Sequence, residues 1–238
     1  MATVLIVGAT SGIAQALARA FARQGWGLVL AGRDLPEVGR IAVDLSLRHR
    51  VPVAIVGFEA TAYGEHGRLL VDWDLEGVVV CHGYLGDQRL AEVDWEEAHR
   101  IVDVNYTSYV SVLTAAAQYF EPRGRGFLCA ISSVAGDRGK QSNYVYGSAK
   151  AGVTVFMQGL RNRLHRSGVR VVTVKPGFVD TAMTYGLVKR GASPEKVADA
   201  VYRGVARGRD VIYVPGLWRW IMLVIRHIPE AVFKRLRL

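Results

Sequence analysis

Val4-Leu5-Ile6-Val7-Gly8-Ala9-Thr10-Ser11-Gly12-Ile13-Ala14 decides how the chain is read: four apolar residues in succession, a glycine-bearing turn, and the first residues of a helical pattern. A strand that is apolar at consecutive positions is covered by helices on both faces. Glycines at a strand-to-helix turn let the backbone approach a pyrophosphate. The helix N-terminus adds free N–H groups and a partial positive charge. The spacing here is Gly8, Gly12 and Ala14, with alanine, the smallest side chain, where a third glycine would let the helix pack closely.

The same rhythm continues down the chain. Apolar runs at residues 28–31, 53–56, 77–81, 126–131, 170–175 and 210–214 read as strands. Helical patterns cover residues 13–24, 35–48, 95–120, 148–166 and 194–207, with an irregular or helical piece after residue 56. Alternation of buried strands with helices specifies a parallel sheet built from right-handed crossovers. The fold expected is therefore α/β: a single-domain Rossmann-type doubly wound parallel sheet of about seven strands. Residues 1–214 form this dinucleotide-binding domain, and residues 215–238 add a C-terminal amphipathic helical tail.

Composition narrows the chemistry. Half of the 238 residues are hydrophobic, enough for a substantial core. No basic leader followed by an apolar run opens the chain, so we expect a cytoplasmic protein. Cys81 and Cys129 are the only cysteines, each near the end of an apolar run, with no cysteine–histidine cluster; neither a metal site nor a disulfide is expected. Residues 1–122 carry a net charge of −6 and residues 123–238 a net +15. That asymmetry suits an anionic partner such as phosphate or acidic lipid, or else a solvated basic surface. Nucleic acid is not expected, since no recognition signature is present.

Two features bear on the reaction. At the end of the second strand, Gly32-Arg33 stands where a carboxylate would bind a ribose diol. Arg33 is suited to a 2′-phosphate, so NADP(H) is favoured over NAD(H), although Asp34 beside it works the other way. Further on, Tyr146-Gly147-Ser148-Ala149-Lys150 puts a phenol and an ammonium four residues apart, on one helical face. A nearby ammonium stabilises tyrosinate, so Tyr146 could exchange a proton nearer neutrality than a free phenol of pKa about 10. Ser133, thirteen residues before Tyr146, could hold a substrate oxygen. Ser132 lacks the Ser-x-x-Gly register and Tyr144 the spacing to lysine.

With these residues together, the chain resembles the short-chain dehydrogenase/reductase family over about residues 3–214. The resemblance implies that Ser133, Tyr146 and Lys150 are catalytic, and that Asn105 holds a proton-relay water and orients the lysine. It also implies cofactor contacts from Gly8, Thr10, Ser11, Gly12 and Ile13 in the first turn, and from Lys150. In Pro176-Gly177-Phe178-Val179-Asp180-Thr181, the residues Pro176, Gly177, Val179 and Thr181 would meet nicotinamide. Glu59 falls near the adenine amine. Of the family's Asn-Asn-Ala-Gly only Gly83 remains, in Val80-Cys81-His82-Gly83, so His82 has no implied role. A homodimer or tetramer is implied as well. Val153, Val155, Phe156, Met157 and Leu160 make the Tyr146 helix apolar on more than one face.

The tail extends the reading. Its longest apolar stretch, residues 220–225, is six residues, against about 20 for a membrane span. Trp218, Trp220 and Phe233 alternate with Arg219, Arg226, Lys234, Arg235 and Arg237, which suits a helix lying on a membrane surface or packed on protein. Residues 146–181 and the Arg226-His227-Ile228-Pro229 ending resemble one branch of the family, the keto-reductases that work with decaprenylphosphoryl-ribose epimerase. That branch implies a lipid-linked keto-sugar as substrate and a place at the inner face of the membrane. A generic reductase of another ketone or 3-oxoacyl group, and a non-catalytic dinucleotide-binding sensor, stay open. Residues 182–193, with Met183, Tyr185 and Leu187, are expected to form a lid over an apolar part of the substrate.

Overall fold

The computed structural model describes residues 1–186 and 191–236. Among them the apolar runs form strands β1 (Thr3–Val7), β2 (Gly27–Gly32), β3 (Val53–Gly57), β4 (Gly77–Val80), β5 (Phe127–Ile131), β6 (Arg170–Pro176) and β7 (Val211–Val214). All pair in parallel, in the order β3-β2-β1-β4-β5-β6-β7. Consecutive residues of β1 serve opposite cores. Val4 and Ile6 join the core under α1 (Gly12–Ala22), α2 (Leu35–His49) and α7 (Pro194–Ala206). Leu5 and Val7 join the core under α5 (Ser108–Phe120) and α6 (Tyr144–Leu164). This is why the runs read as continuously apolar. The edge strand β3 departs from that expectation, being only partly buried, with Ile55 exposed.

The single helix expected over residues 95–120 is broken. It consists of α4 (Trp95–Val102) and α5, joined by a wide π-type turn at Asp103–Thr107. The cause is Asn105, whose Nδ2 donates to the Ile101 carbonyl at 2.8 Å, the acceptor its own backbone N–H would use in a regular helix. The helix carrying Tyr146 also starts earlier than its pattern implies, at Tyr144. Its cap comes from a distant element: Gln88, at the start of the short helix α3 (Gln88–Ala91), accepts from the Val145 N–H at 3.0 Å.

The tail forms α8 (Trp218–His227) and α9 (Glu230–Phe233), which fold back on the domain and bury Met222 and Phe233. Arg138 lies over the Phe233 ring at 4.3 Å and binds Glu230 at 2.5 Å. No helix among the described residues is long and apolar enough to cross a membrane. Leu187, Arg237 and Leu238 lie outside the described residues. Strand order reverses between β1 and β4, so a crevice opens there at the carboxyl ends of the strands.

Candidate active site

The first turn is built from backbone. Gly8 and Ala9 both donate to the Ala31 carbonyl at 2.9 Å, which ties the turn to the end of β2. Gly8 has φ +85°, and a Cβ there would come within 2.6 Å of the His82 backbone nitrogen. Only glycine lets β1 and the end of β4 meet so closely. Ser11 caps α1 by accepting from Ala14 N–H at 3.2 Å, and Ala14 is fully buried against the sheet. The open cradle over the N-terminus of α1 suits a pyrophosphate. At the carboxyl ends of β2 and β3, Arg33 is exposed and stands 4.0 Å from Glu59. Asp34 is occupied: its carboxylate caps α2 through Glu37 N–H at 3.0 Å.

From that turn a cavity of about 830 Å³ runs past β4 and β5 to the loop after β6. Thr10, Ser11, Gly12 and Ile13 line one end. Gly83, Ser133, Tyr146, Lys150, Pro176, Gly177, Val179 and Thr181 line the rest. Ser133 follows β5 and opens a helical turn, its hydroxyl accepting from Ala135 N–H at 3.1 Å. Gly136 in that turn lies against the backbone of α6, where a Cβ would come within 2.6 Å of Ala151 N. This contact brings Ser133 beside Tyr146, one helical turn before Lys150.

The electrostatics differ from the expectation of an acidified tyrosine. Burial pushes the Tyr146 phenol up to about 12, against a smaller opposing pull from the Ser133 hydroxyl. Burial likewise lowers the Lys150 ammonium to about 7, with Cys81 acting weakly in the other direction. Tyr146 is thus a protonated phenol at neutral pH, in the state needed to give a proton. The Asn105 carboxamide is held by Ile101 and by Tyr84, whose N–H reaches Oδ1 at 3.2 Å and whose carbonyl accepts from Nδ2. It pins the loop after β4. Lys150 donates to the Ile131 carbonyl at 3.1 Å and the Tyr109 hydroxyl at 3.4 Å.

Tyr109 was missed from the sequence. It is fully buried, donates to the His82 carbonyl at 2.6 Å, and lies with its ring centroid 4.4 Å from the lysine nitrogen. Its place one helical turn after Asn105 was the available signal. The sequence decoys have structural work: Ser132 donates to the Lys150 carbonyl at 2.9 Å, and Tyr144 is an exposed residue at the start of α6. His82 packs between Phe58 and Tyr109 and bonds Ser108 through Nε2. Burial holds it well below the ordinary histidine value. Cys81 and Cys129 are buried free thiols. Among the described residues no cluster of three potential metal ligands occurs.

The tail enters the site. Trp218 lines the cavity and lies so close over Gly177 that a Cβ there would overlap the indole. Phe178 meets Trp218 edge-on at 6.1 Å. Met183 and Tyr185 are exposed beside them in the segment expected to act as a lid.

A family model for short chain dehydrogenases matches residues 2–190. The chain belongs to the short-chain dehydrogenase family. It is 38% identical over 242 residues to an uncharacterised oxidoreductase of Mycobacterium tuberculosis, covering 99% of this chain and 97% of that one. A short-chain dehydrogenase from Sphingobium yanoikuyae in complex with NADPH superposes with a TM-score of 0.86 at 27% identity, covering 97% and 98% of the two chains. A bulky-bulky ketone specific alcohol dehydrogenase from Comamonas testosteroni superposes with a TM-score of 0.82 at 26% identity, covering 97% and 96%. Both superpositions cover nearly the whole of this short-chain dehydrogenase.

Proposed function

We propose that this short-chain dehydrogenase is an NADPH-dependent carbonyl reductase acting on a ketone. The reading rests on one observation above others: Ser133, Tyr146 and Lys150 line one cavity, with Tyr146 one helical turn before Lys150. The cofactor, when bound, supplies the hydride that the carbonyl carbon accepts. Tyr146 gives its proton to the carbonyl oxygen, and Ser133 holds that oxygen by a hydrogen bond. Lys150 stabilises the tyrosinate left behind and holds the nicotinamide ribose. Asn105 would hold a proton-relay water and orient Lys150, as the family resemblance implies. Thr10, Ser11, Gly12 and Ile13 hold the pyrophosphate end, Glu59 lies toward the adenine, Gly83 lies beside Lys150 near the nicotinamide ribose, and Pro176, Gly177, Val179 and Thr181 meet the nicotinamide.

The NADPH preference rests on Arg33. It is exposed at the end of β2, and the one carboxylate next to it in sequence, Asp34, caps a helix. A 2′-phosphate would displace Glu59 as its partner. Fluorescence titration tests this: NADPH should bind more tightly than NADH, and Arg33→Ala should weaken NADPH about tenfold to a hundredfold while changing NADH little. Equal affinity for the two cofactors in the parent protein would refute the preference.

For the substrate we propose a lipid-linked ketone, a polyprenylphosphoryl 2-keto-pentose being the first to assay. The aromatic wall of Phe178 and Trp218 and the basic C-terminal half support it. With it goes contact of residues 215–238 with the inner face of an anionic membrane. Leu217, Trp220 and Val224 are exposed at helical spacing, and Arg219 and Arg226 are exposed on the same helix. Trp220→Ser with Val224→Ser should release the chain from anionic vesicles in flotation. A homo-oligomer is proposed as well, with Val155 exposed on α6 while Val153, Met157 and Leu160 face the sheet.

A further inference from the structure

We propose that the cavity contains, beside Tyr146, a subsite built by Gln88, Asn143 and Lys140 that recognises a hydroxyl group and an anionic substituent on the ketone. It rests on the reductase reading and names the substrate's chemistry.

Gln88 and Asn143 both line the cavity with Tyr146. The Gln88 carboxamide is fixed in orientation, because Oε1 accepts from Val145 N–H at the start of α6. Asn143, the residue in the N-cap position, leaves that capping to Gln88. The consequence is a pair of stranded atoms in the same wall. Among the described residues, neither Gln88 Nε2 nor Asn143 Oδ1, both buried, has a hydrogen-bond partner. Buried polar atoms are almost always paired, so two in one cavity wall point to a ligand. One is a donor and the other an acceptor. A hydroxyl is the small group that accepts and donates together, whereas a methyl does neither.

Lys140 supplies the second component. It lines the same cavity, is half buried, and burial alone lowers its pKa. Behind it stands the N-terminus of α6, a 21-residue helix with no acidic residue in its first turn. Both favour a negative group. The nearby Asp87 carboxylate is occupied in capping α3, through Arg89 N–H at 2.8 Å and Leu90 N–H at 3.2 Å. Gln88 opens α3 after β4, while Phe178 and Met183 follow β6 and Trp218 opens α8 after β7, on the other side of β5. The cavity thus has a polar wall and an apolar wall, with Ser133 and Tyr146 between them. A ketone flanked by hydroxyl and phosphate on one side and carbon chain on the other fits that division.

The test is ligand-observed NMR on the full chain loaded with NADP+, where ketones bind without turning over. Butanone and hydroxyacetone differ by a methyl against a hydroxyl; dihydroxyacetone and its phosphate differ by the charge. Hydroxyacetone should bind about tenfold tighter than butanone, and the phosphate about tenfold tighter than dihydroxyacetone. Gln88→Glu keeps the oxygen that caps α6 but turns the donor into an acceptor, so both preferences should fall to about twofold or less. Lys140→Met should remove the phosphate preference alone. Equal affinities within each pair, no detectable binding, or preferences unchanged in Gln88→Glu would overturn the subsite. A separate assay with NADPH reports on the reductase reading: NADPH left unoxidised by every ketone that binds would refute that reading and leave the affinity ratios to judge the subsite.

Discussion

The turn after β1 and the turn after β5 both carry the chain from a buried strand into helical structure, yet they are held in opposite ways. The first is held by its own backbone, through Gly8 and Ala9 N–H to the Ala31 carbonyl and by the Ser11 cap. The second, from Ser133 to Asp137, is held by side chains from far away. Asp137 forms a buried ion pair with Lys175 at the end of β6 and accepts from the Tyr213 hydroxyl on β7 at 2.8 Å. Arg138 then ties the turn to the tail through Glu230 and Phe233. A cofactor cradle needs only close backbone approach, which local sequence can specify. A reacting oxygen must be met by several side chains at fixed distances, and that takes the whole fold.

The contrast can be tested by substitutions in the second region. Tyr146→Phe should lower turnover about a thousandfold or more while NADPH affinity stays within about twofold, because only the proton donor is lost. A parent-like rate would remove the tyrosine from the reaction. Asp137→Ala strands Lys175 in the interior and should destabilise the chain by about 3–5 kcal/mol in denaturant unfolding. A change below about 1 kcal/mol would show that the turn does not depend on this pair. Gly177→Ala pushes a methyl into Trp218 and should cost about 1–3 kcal/mol, with increased protease sensitivity after residue 214. Unchanged cleavage would mean that the tail is seated by its other contacts.

The smallest effect concerns Lys150. Its folded pKa of about 7 lies below the ordinary 10.5, so between these values the unfolded chain binds more protons and stability rises with pH. Below about pH 7 the folded protein carries the full cost of the buried charge. Lys150→Met should therefore raise the melting temperature more at about pH 6 than at about pH 9. An equal shift at both would contradict the assignment of a desolvated lysine.

These contrasts also explain what could be read from sequence. The alternation of strands and helices, the glycine turn and the Tyr146–Lys150 pair follow from periodicity and spacing, which are local properties. Gln88 and Lys140 have no such signature, and Tyr109 and Trp218 carry only a weak one, because they reach the cavity from separate elements brought together only by folding. Asn105 shows a different limit. Its position was noted, but its carboxamide bonds Ile101 and Tyr84, interactions that depend on the break in the helix it causes. Spacing shows that an ammonium is near Tyr146 but not the desolvation that raises its phenol and lowers Lys150.

The most direct test follows deuterium from NADPH labelled at C4 into the alcohol formed from a ketone. The proposed chemistry predicts deuterium on the carbinol carbon, delivered from one face of the nicotinamide only, with the hydroxyl proton coming from solvent through Tyr146. Alcohol formed without deuterium on that carbon, or NADPH oxidised while the ketone is unchanged, would contradict it.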